Sequence, residues 1–291
     1  MNRQLSLVLN GIFAVAIILI FTGARPTSAP LRVMTFNIRW NNPDDEANKW
    51  ENRRANLVSM IRFHKADLVG LQEAKKEQLD YIMAELPEYG WYGVGRDDGT
   101  EAGEYSAVIY RKARFDTLAT ATFWCSETPE RPGMGWDAAC PRVVTYGKMK
   151  DRTSGKIFYM FNTHLDHMGE IARVESAKLI KNRMQSLGTS QPIILTGDFN
   201  SPPASPAYAI ITAPAAGSGV TLVDSRVISA QKHHGPAGTF TDFKVDAKPL
   251  EPIDFIFVKK GMSVLSHGTL SDSFDGFLPS DHYPVLAEIA W

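Results

Sequence analysis

The sequence predicts a layered α/β or α+β domain, and three observations point to that fold class. The chain has 291 residues, of which 44% are hydrophobic and 22% charged, as is usual for a soluble protein with a core. Apolar runs of strand length alternate with segments of helical periodicity. No change in composition marks a linker beyond residue 30, so residues 30–291 are expected to form one domain.

The first thirty residues are typical of an export signal. Arg3 gives a positive start, residues 12–21 form an unbroken apolar stretch, and the small residues Thr27 and Ala29 suit a cleavage site. We therefore expect residues 1–29 to be a signal peptide and the domain to be periplasmic or extracellular. An uncleaved N-terminal membrane anchor is the alternative, because the whole apolar stretch approaches the length of a membrane span.

The predicted elements follow one another along the chain. The first part has the pattern strand, helix, strand, helix over residues 31–38, 50–64, 67–73 and 75–86. Paired strands are then predicted at residues 105–111 and 114–123, and a hairpin at residues 142–150 and 156–163. The clearest helix covers residues 169–187. Later strands are predicted at residues 193–196, 253–258 and 284–289, after a loop with one short helix in residues 201–219.

Polar and ionisable residues recur where the apolar strands end or, for the last strand, just before it begins. The ends of strands are rigid and the adjoining loops open to solvent, so functional sites collect there. One polar strand end is usually a solvated terminus, whereas several with carboxylates and histidines favour a site. The set is Asn37, Glu73, His164, Asp198, Asn200, Asp281 and His282.

The donor atoms of this set indicate which metal the site would bind. Glu73, Asp198, Asp281 and Asn37 offer hard carboxylate and amide oxygens, and the set contains no thiolate. Such donors favour Mg²⁺, for which Mn²⁺ can substitute, over zinc or copper. Whether one or two metal ions bind stays open.

Six segments resemble the endonuclease/exonuclease/phosphatase superfamily, which includes deoxyribonuclease I-like nucleases, inositol polyphosphate 5-phosphatases and bacterial sphingomyelinases. They occur in the family's order across residues 31–291 and are TFNIR (35–39), LQE (71–73), NTHLDH (162–167), GDFN (197–200), PIDFI (252–256) and SDHYP (280–284). The resemblance implies a deoxyribonuclease I-like fold, a four-layer α/β/β/α sandwich with two central mixed β-sheets. The NTHLDH segment is similar to that of an exported bacterial subgroup.

The resemblance also implies roles for individual residues. Asp198 would orient or deprotonate the attacking water, and Asn200 would donate hydrogen bonds to the phosphate. His282 would bind or protonate a phosphate oxygen while Asp254 holds its ring. The implied catalytic residues are therefore His164, Asp198, Asn200, Asp254 and His282, and the implied metal ligands are Asn37, Glu73 and Asp281.

Four further residues are candidates for substrate binding. Arg39 stands where some branches of the superfamily carry an acidic ligand, and it would contact phosphate or pair with a surface carboxylate. Asp166 would lie on the same side as His164 if the strand continued. Arg173 is either a phosphate contact or a helix-surface residue. Glu104 would point towards the metal or into solvent.

Two pairs of residues, one of phenylalanines and one of cysteines, each allow two interpretations. Phe240 and Phe243 would form an apolar wall of the site or pack in the core, and core packing is favoured. Cys125 and Cys140 would form a disulfide after export or remain two small buried side chains, and the unbridged state is slightly favoured.

The net charge of the chain narrows the range of functions to expect. The formal net charge is −1 and the pI about 6.7, whereas clamping long nucleic acid usually requires a basic face. The expected function is a secreted, Mg²⁺-dependent phosphatase or phosphodiesterase acting on a small or lipid-like phosphoester. A secreted DNA or RNA nuclease is the first alternative. A binding module without catalysis is the second, although the key polar positions are intact. No protein partner is implied, and a monomer is expected.

Overall fold

The structure is a computed structural model that describes residues 29–188, 190–217 and 219–291. The predicted signal segment, apart from Ala29, lies outside these ranges. Within them, no helix is both long enough and apolar enough to cross a membrane.

Twelve strands are present in the described ranges. In chain order they are β1 (Leu31–Asn37), β2 (Leu68–Gln72), β3 (Tyr89–Tyr92), β4 (Val108–Arg111), β5 (Phe115–Trp124), β6 (Val143–Asp151), β7 (Ile157–His164), β8 (Ile193–Asp198), β9 (Leu222–Asp224), β10 (Asp254–Lys259), β11 (Ser263–Thr269) and β12 (Val285–Ala290). The α-helices are α1 (Trp50–Phe63), α2 (Lys76–Glu85), α3 (Glu170–Ser186), α4 (Pro206–Thr212) and α5 (Ser225–Ile228), and a short 3₁₀ helix covers Glu46–Asn48.

The strands form two six-stranded mixed sheets in the described part of the chain. The first sheet has the order β11-β12-β1-β2-β4-β3, and the second has the order β5-β6-β7-β8-β10-β9. Each sheet contains one central parallel pair, β1 with β2 and β7 with β8, and its other pairs are antiparallel. Strands β2 and β8 are buried along their whole length, which explains why their sequences are mostly apolar.

The two sheets pack face to face, and helices cover their outer faces. Between the sheets lies an apolar layer that includes Val33, Leu68, Met160 and Ile194. Residues of α1 and α2 form a second core with the first sheet, and residues of α3 and α4 form a third core with the second sheet. The predicted four-layer α/β/β/α sandwich is therefore confirmed.

One strand pairing was predicted wrongly. Residues 105–111 and 114–123 do not pair, because β4 belongs to the first sheet and β5 to the second. Strand β4 pairs with β2 and β3, whereas β5 pairs with β6. The short connection between them crosses from one sheet to the other. The predicted hairpin of β6 and β7 is present, with seven residue pairs in antiparallel register.

Candidate active site

In the first sheet, strand direction brings the candidate residues to one rim. Parallel strands β1 and β2 end at Asn37 and immediately before Glu73. Strand β12 runs antiparallel to β1 and starts at the same rim, so Asp281 and His282, which precede it, lie there too.

The second sheet repeats this arrangement. Parallel strands β7 and β8 end at His164 and Asp198, which are neighbours across the sheet. Antiparallel β10 begins at Asp254, which is the partner of Asp198 on its other side. Two packed sheets therefore place the predicted catalytic carboxylates and imidazoles along adjoining rims.

Three of the residues that follow the strands have left-handed backbone conformations. The φ angles are 54° at Arg39, 61° at Glu73 and 46° at Asn200. Residues other than glycine rarely adopt this region, and those that do are concentrated at functional sites, where the surrounding structure holds them. At Asn200 the backbone N–H donates to Oδ1 of Asp198 at 2.9 Å, which fixes the turn after β8.

Asn37 connects the two halves of the site. Its Nδ2 donates to Oε1 of Glu73 at 3.0 Å and to Oδ2 of Asp198 at 2.9 Å. Its Oδ1 accepts the Arg39 N–H at 3.0 Å, and the Trp40 N–H donates to the other oxygen of Glu73 at 3.1 Å. A single buried amide thus orients both carboxylates.

The imidazole of His282 lies between two buried carboxylates. Its Nδ1 is 2.9 Å from Oδ2 of Asp254, and its Nε2 is 3.8 Å from Oδ2 of Asp198. Burial acts to lower the pKa of His282, but Asp254, Asp198 and Asp281 outweigh it and raise that pKa well above its usual value. Burial, with the charge of Asp254, raises the pKa of Asp198 to about 7.

His164 has the opposite electrostatic character. Burial and the charges of Arg142, Arg96 and His282 lower its pKa well below the usual value, so its ring is neutral. Nδ2 of Asn200 lies 3.0 Å from Nε2 of His164 and donates to the Leu165 carbonyl at 3.0 Å. Nε2 is therefore the acceptor, and the ring proton of His164 resides on Nδ1.

The predicted metal ligands Asn37, Glu73 and Asp281 lie on one side of the site. Burial and the neighbouring charge of Glu73 raise the pKa of Asp281, which shows that the two carboxylates act on each other. A second group of possible ligand atoms comes from Asp198, Asp254 and His282. These atoms all lie within 4.8 Å of one another. There Nδ1 of His282 is hydrogen-bonded to Asp254, whereas its Nε2 lies 3.8 Å from Asp198, beyond hydrogen-bond distance.

Six of these residues line a cavity of about 440 Å³, and they are Glu73, His164, Asp198, Asn200, Asp281 and His282. Asn37 and Asp254 are not part of its lining. Phe240 and Phe243 line it, and Phe240 is 47% exposed, so the expectation that they pack in the core was wrong. The Phe240 ring contacts the His282 ring edge to face, with centroids 5.1 Å apart. Asp242 and Phe243 both have positive φ angles, which turn this segment towards the cavity.

Arg39 forms the expected ion pair with a carboxylate and also lines the cavity. It lines the cavity, and its guanidinium forms a two-point contact with Asp45, at 3.0 Å from Nε and 2.8 Å from Nη2. Its Nη1 is 3.9 Å from Asp281. Arg39 is therefore an ion-paired residue that still faces the reaction space.

Asp166 and Arg173 lie outside the lining of this cavity. Because β7 ends at His164, alternation does not continue, and the buried carboxylate of Asp166 accepts the N–H groups of Met168 and Gly169. The guanidinium of Arg173 donates to the Asp166 carbonyl at 2.9 Å. Both residues organise the turn before α3, and substrate contact by either of them stays a prediction.

Arg96 and Arg142 are among the cavity residues that sequence reasoning missed, and it gave Glu104 low weight. Arg142 directly precedes β6 and is buried, and Arg96 forms an ion pair with Glu104 at 2.6 Å. Arg142 stands at the start of a predicted strand, on the rim where strands carry the other site residues, and that position was the available signal. Cys140 also lines the cavity, and both it and Cys125 are free.

A family comparison matches residues 34–282 to the Endonuclease/Exonuclease/phosphatase family. Three bacterial structures are similar over nearly their whole length. Two of them are from Bacteroides thetaiotaomicron, a family protein and a mannosyl-6-phosphatase, and each is 37% identical to this chain with a TM-score of 0.85. Each match covers 90% of this chain; it covers 98% of the family protein and 100% of the mannosyl-6-phosphatase. A family protein from Bacteroides vulgatus is 41% identical, with a TM-score of 0.83 over 89% of this chain and 98% of its own.

More distant relatives are matched only in part or only in fold. An uncharacterised protein of Acanthamoeba polyphaga mimivirus is 28% identical over 52% of this chain and 59% of its own length. Drosophila melanogaster nocturnin is 25% identical over 57% of this chain and 26% of its own. The chain thus spans less than two thirds of these curated relatives. The human nocturnin catalytic domain shares the fold, with a TM-score of 0.70 and 21% identity. The match covers 91% of this chain and 94% of that domain.

Proposed function

The chain belongs to the endonuclease/exonuclease/phosphatase family of phosphoester hydrolases, and from that premise we propose that it is an exported, Mg²⁺-dependent phosphatase acting on a small phosphoester. The observation that carries the choice of substrate is the cavity of about 440 Å³ with an aromatic wall beside His282. That volume lies in the range of small-molecule sites. The export signal predicted from the sequence of residues 1–29 supports action outside the cytoplasm.

A sugar phosphate is the first substrate to consider. The exposed face of Phe240 suits the apolar face of a ring in the leaving group, and most of the other side chains that line the cavity are polar or charged. The mannosyl-6-phosphatase with 37% identity supports the same choice. The net charge of −1 gives no support to a long nucleic-acid substrate.

The donor atoms fit a magnesium ion. Each oxygen of Glu73 accepts one hydrogen bond, from Asn37 or from Trp40, which leaves further lone pairs for a cation. Glu73, Asn37 and Asp281 would hold the ion, because their side chains carry carboxylate and amide oxygens, which Mg²⁺ prefers. When bound, the ion would neutralise charge on the phosphate oxygens.

Asp198 is placed to activate the attacking water. Its carboxylate is oriented by the Asn37 side chain and the Asn200 backbone, and its pKa of about 7 matches that of an efficient general base near neutral pH. His282 in its protonated form directs Nε2–H into the cavity, where it would donate to a phosphate oxygen. Asp254 fixes the orientation of that ring and supports its charge.

Asn200 reaches the phosphate only by exchanging a partner. Both hydrogens of its Nδ2 are engaged, one by His164 and one by the Leu165 carbonyl. A phosphate oxygen would replace Nε2 of His164 as the acceptor. Since His164 is neutral, losing this contact leaves no buried charge unpaired.

A substrate panel tests the proposal. Purified full-length protein with Mg²⁺ would be assayed on hexose 6-phosphates, inositol phosphates, sphingomyelin, RNA and plasmid DNA, with Asp198→Ala as the blank. We expect turnover of the small phosphoesters alone. Turnover confined to RNA or DNA would show that the protein is a nuclease instead. Turnover confined to sphingomyelin would show that it is a lipid phosphodiesterase.

A further inference from the structure

One wall of the cavity carries two arginines that the steps described above leave without a role. Arg142 stands directly before β6 and is 4% exposed, and Arg96 lies in the connection between β3 and β4. Both line the cavity together with His164, on the side that also presents Glu104. Burial lowers the pKa of His164, and the charges of Arg142 and Arg96 lower it further.

Arg142 has one donor group without an acceptor. Its Nε donates to Asp166 at 3.3 Å, and its Nη2 lies 2.9 Å from Nδ1 of His167. Its Nη1 is buried and has no hydrogen-bond partner among the residues that the structure describes. Two of the three guanidinium nitrogens therefore anchor the side chain, and the third is left for a ligand.

Arg96 shows the same pattern. Its Nη1 donates to Glu104 at 2.6 Å, and its backbone carbonyl accepts the Trp124 indole N–H at 2.7 Å, which fixes the loop. Its Nε is buried without a hydrogen-bond partner in the described ranges, and the nearby Asp97 oxygen is 3.7 Å away. Nδ1 of His164, which carries that ring's proton, is unpaired in the same way.

The three residues with unpaired donors border one small recess. It adjoins the main cavity, has a volume of about 10 Å³, and is lined by Arg96, Arg142, His164 and the carboxylates Glu73 and Glu104. A volume near this size holds about one water molecule or one oxygen atom. Buried donors of this kind are normally paired, so a cluster of them next to a reaction site indicates an acceptor that arrives with the ligand.

We propose that Arg96, Arg142 and His164 form a subsite for a non-bridging oxygen of a terminal, doubly charged phosphate and thereby select phosphate monoesters over diesters. The inference rests on the proposed function and names its substrate class. At pH 7 a phosphate monoester carries a charge near −1.5 to −2, whereas a diester carries −1. A diester has an alkoxy group where a monoester has its third non-bridging oxygen, so it leaves charged donors unpaired.

The test compares two substrates that share a leaving group, 4-nitrophenyl phosphate and 4-nitrophenyl methyl phosphate. The full-length protein would be compared with Arg142→Gln and Arg96→Gln. Arg152→Gln is the matched control, because Arg152 is an exposed arginine paired with Asp116. We expect the wild type to prefer the monoester and each site variant to lose roughly tenfold or more of that preference in kcat/KM. The control should keep it.

A binding measurement separates this inference from the proposed function. Inorganic phosphate would be titrated calorimetrically into the wild type, Arg142→Lys and Arg96→Gln, each checked for a wild-type melting transition. Arg142→Lys keeps the charge without the guanidinium fork, so weaker phosphate binding in it supports the subsite even if neither ester is hydrolysed. Equal phosphate affinity and an unchanged monoester preference in folded variants would show that the donors hold only water, and would overturn the inference.

Discussion

At the residue scale, the contact between His282 and Asp254 decides how the site handles protons. Asp254→Asn keeps the size of the side chain but replaces a charged acceptor of the Nδ1 proton by an amide. We expect kcat/KM for phosphate release to fall by about 10²–10⁴-fold, because His282 loses its oriented, protonated form. Asp116→Asn, at an exposed ion pair, is the control and should retain wild-type activity. Retention of most activity by Asp254→Asn would contradict the role given to His282.

A second residue-scale prediction concerns Glu73. Glu73→Gln preserves shape but removes the negative charge of the main metal carboxylate. The Mg²⁺ concentration for half-maximal activity should rise by roughly tenfold or more, because Mg²⁺ binds neutral oxygen more weakly than carboxylate. A Mg²⁺ titration measures this, with the exposed residue change Glu77→Gln as the control. An unchanged titration curve would exclude Glu73 as a ligand.

The residues that could be predicted from sequence were those at strand ends. Asn37, Glu73, His164 and Asp198 close or follow apolar strands, and a strand end has a defined direction. Phe240 could not be placed, because an apolar side chain in a loop gives no sign of whether it faces core or cavity. The unpaired donors of Arg96 and Arg142 depend on which partners the fold supplies, and that information lies in other elements.

At the scale of elements, a glycine in β2 controls how closely the two sheets approach. A Cβ atom at Gly70 would lie 2.1 Å from Oγ1 of Thr196 and 2.4 Å from Oδ1 of Asn162, both in the opposite sheet. That Asn162 amide also accepts from Gln72 at 2.7 Å, and it donates to the Leu71 carbonyl at 2.8 Å. The additional methyl group would therefore disturb a fully buried polar network between the layers.

We predict that Gly70→Ala lowers the free energy of unfolding by about 1–3 kcal/mol or more, as overpacking in a core does. Gly133→Ala is the matched control, because a Cβ atom there meets nothing within 4 Å. Chemical denaturation midpoints of the two variants would be compared. If Gly70→Ala were as stable as Gly133→Ala, the close contact between the sheets would not be a determinant of stability.

The elements themselves were largely predictable, but their partners were not. Periodicity located α1, α3 and the hairpin of β6 and β7 to within a residue or so at each end. Periodicity could not show that β4 and β5 belong to different sheets. The alternation of apolar and polar residues indicates which face of a strand is buried, but it does not indicate which strand pairs with it. The four-layer arrangement was implied by the family resemblance and not by the pattern alone.

At the scale of the whole molecule, a buried histidine with a partly exposed histidine partner makes stability depend on pH. His267 in β11 lies with Nδ1 2.9 Å from Nδ1 of His233. Burial, followed by the charges of His233 and Arg226, lowers the pKa of His267 to about 3, below the unfolded value near 6.5. Between these values the unfolded chain binds a proton that the folded chain does not, so stability decreases as pH falls below about 6.5.

This dependence leads to a fourth variant, at His267. We expect His267 to contribute a loss of up to about 1.4 kcal/mol of unfolding free energy per pH unit between pH 6 and 4. His267→Gln should therefore show a flatter dependence than the wild type when unfolding is measured across that range. His234→Gln, at an exposed imidazole, should follow the wild type. Parallel curves for His267→Gln and the wild type would contradict the burial of a neutral His267.

The central claim is metal-dependent attack of water promoted by Asp198, and phosphate release from mannose 6-phosphate tests it most directly. The wild type and Asp198→Asn would be compared with Mg²⁺, with EDTA, and with Mg²⁺ restored after chelation. We predict release by the wild type, its loss in EDTA and recovery with Mg²⁺, and a decrease of about 10²–10⁴-fold in Asp198→Asn. Release that survives thorough chelation, or that persists at the wild-type rate in Asp198→Asn, would contradict it.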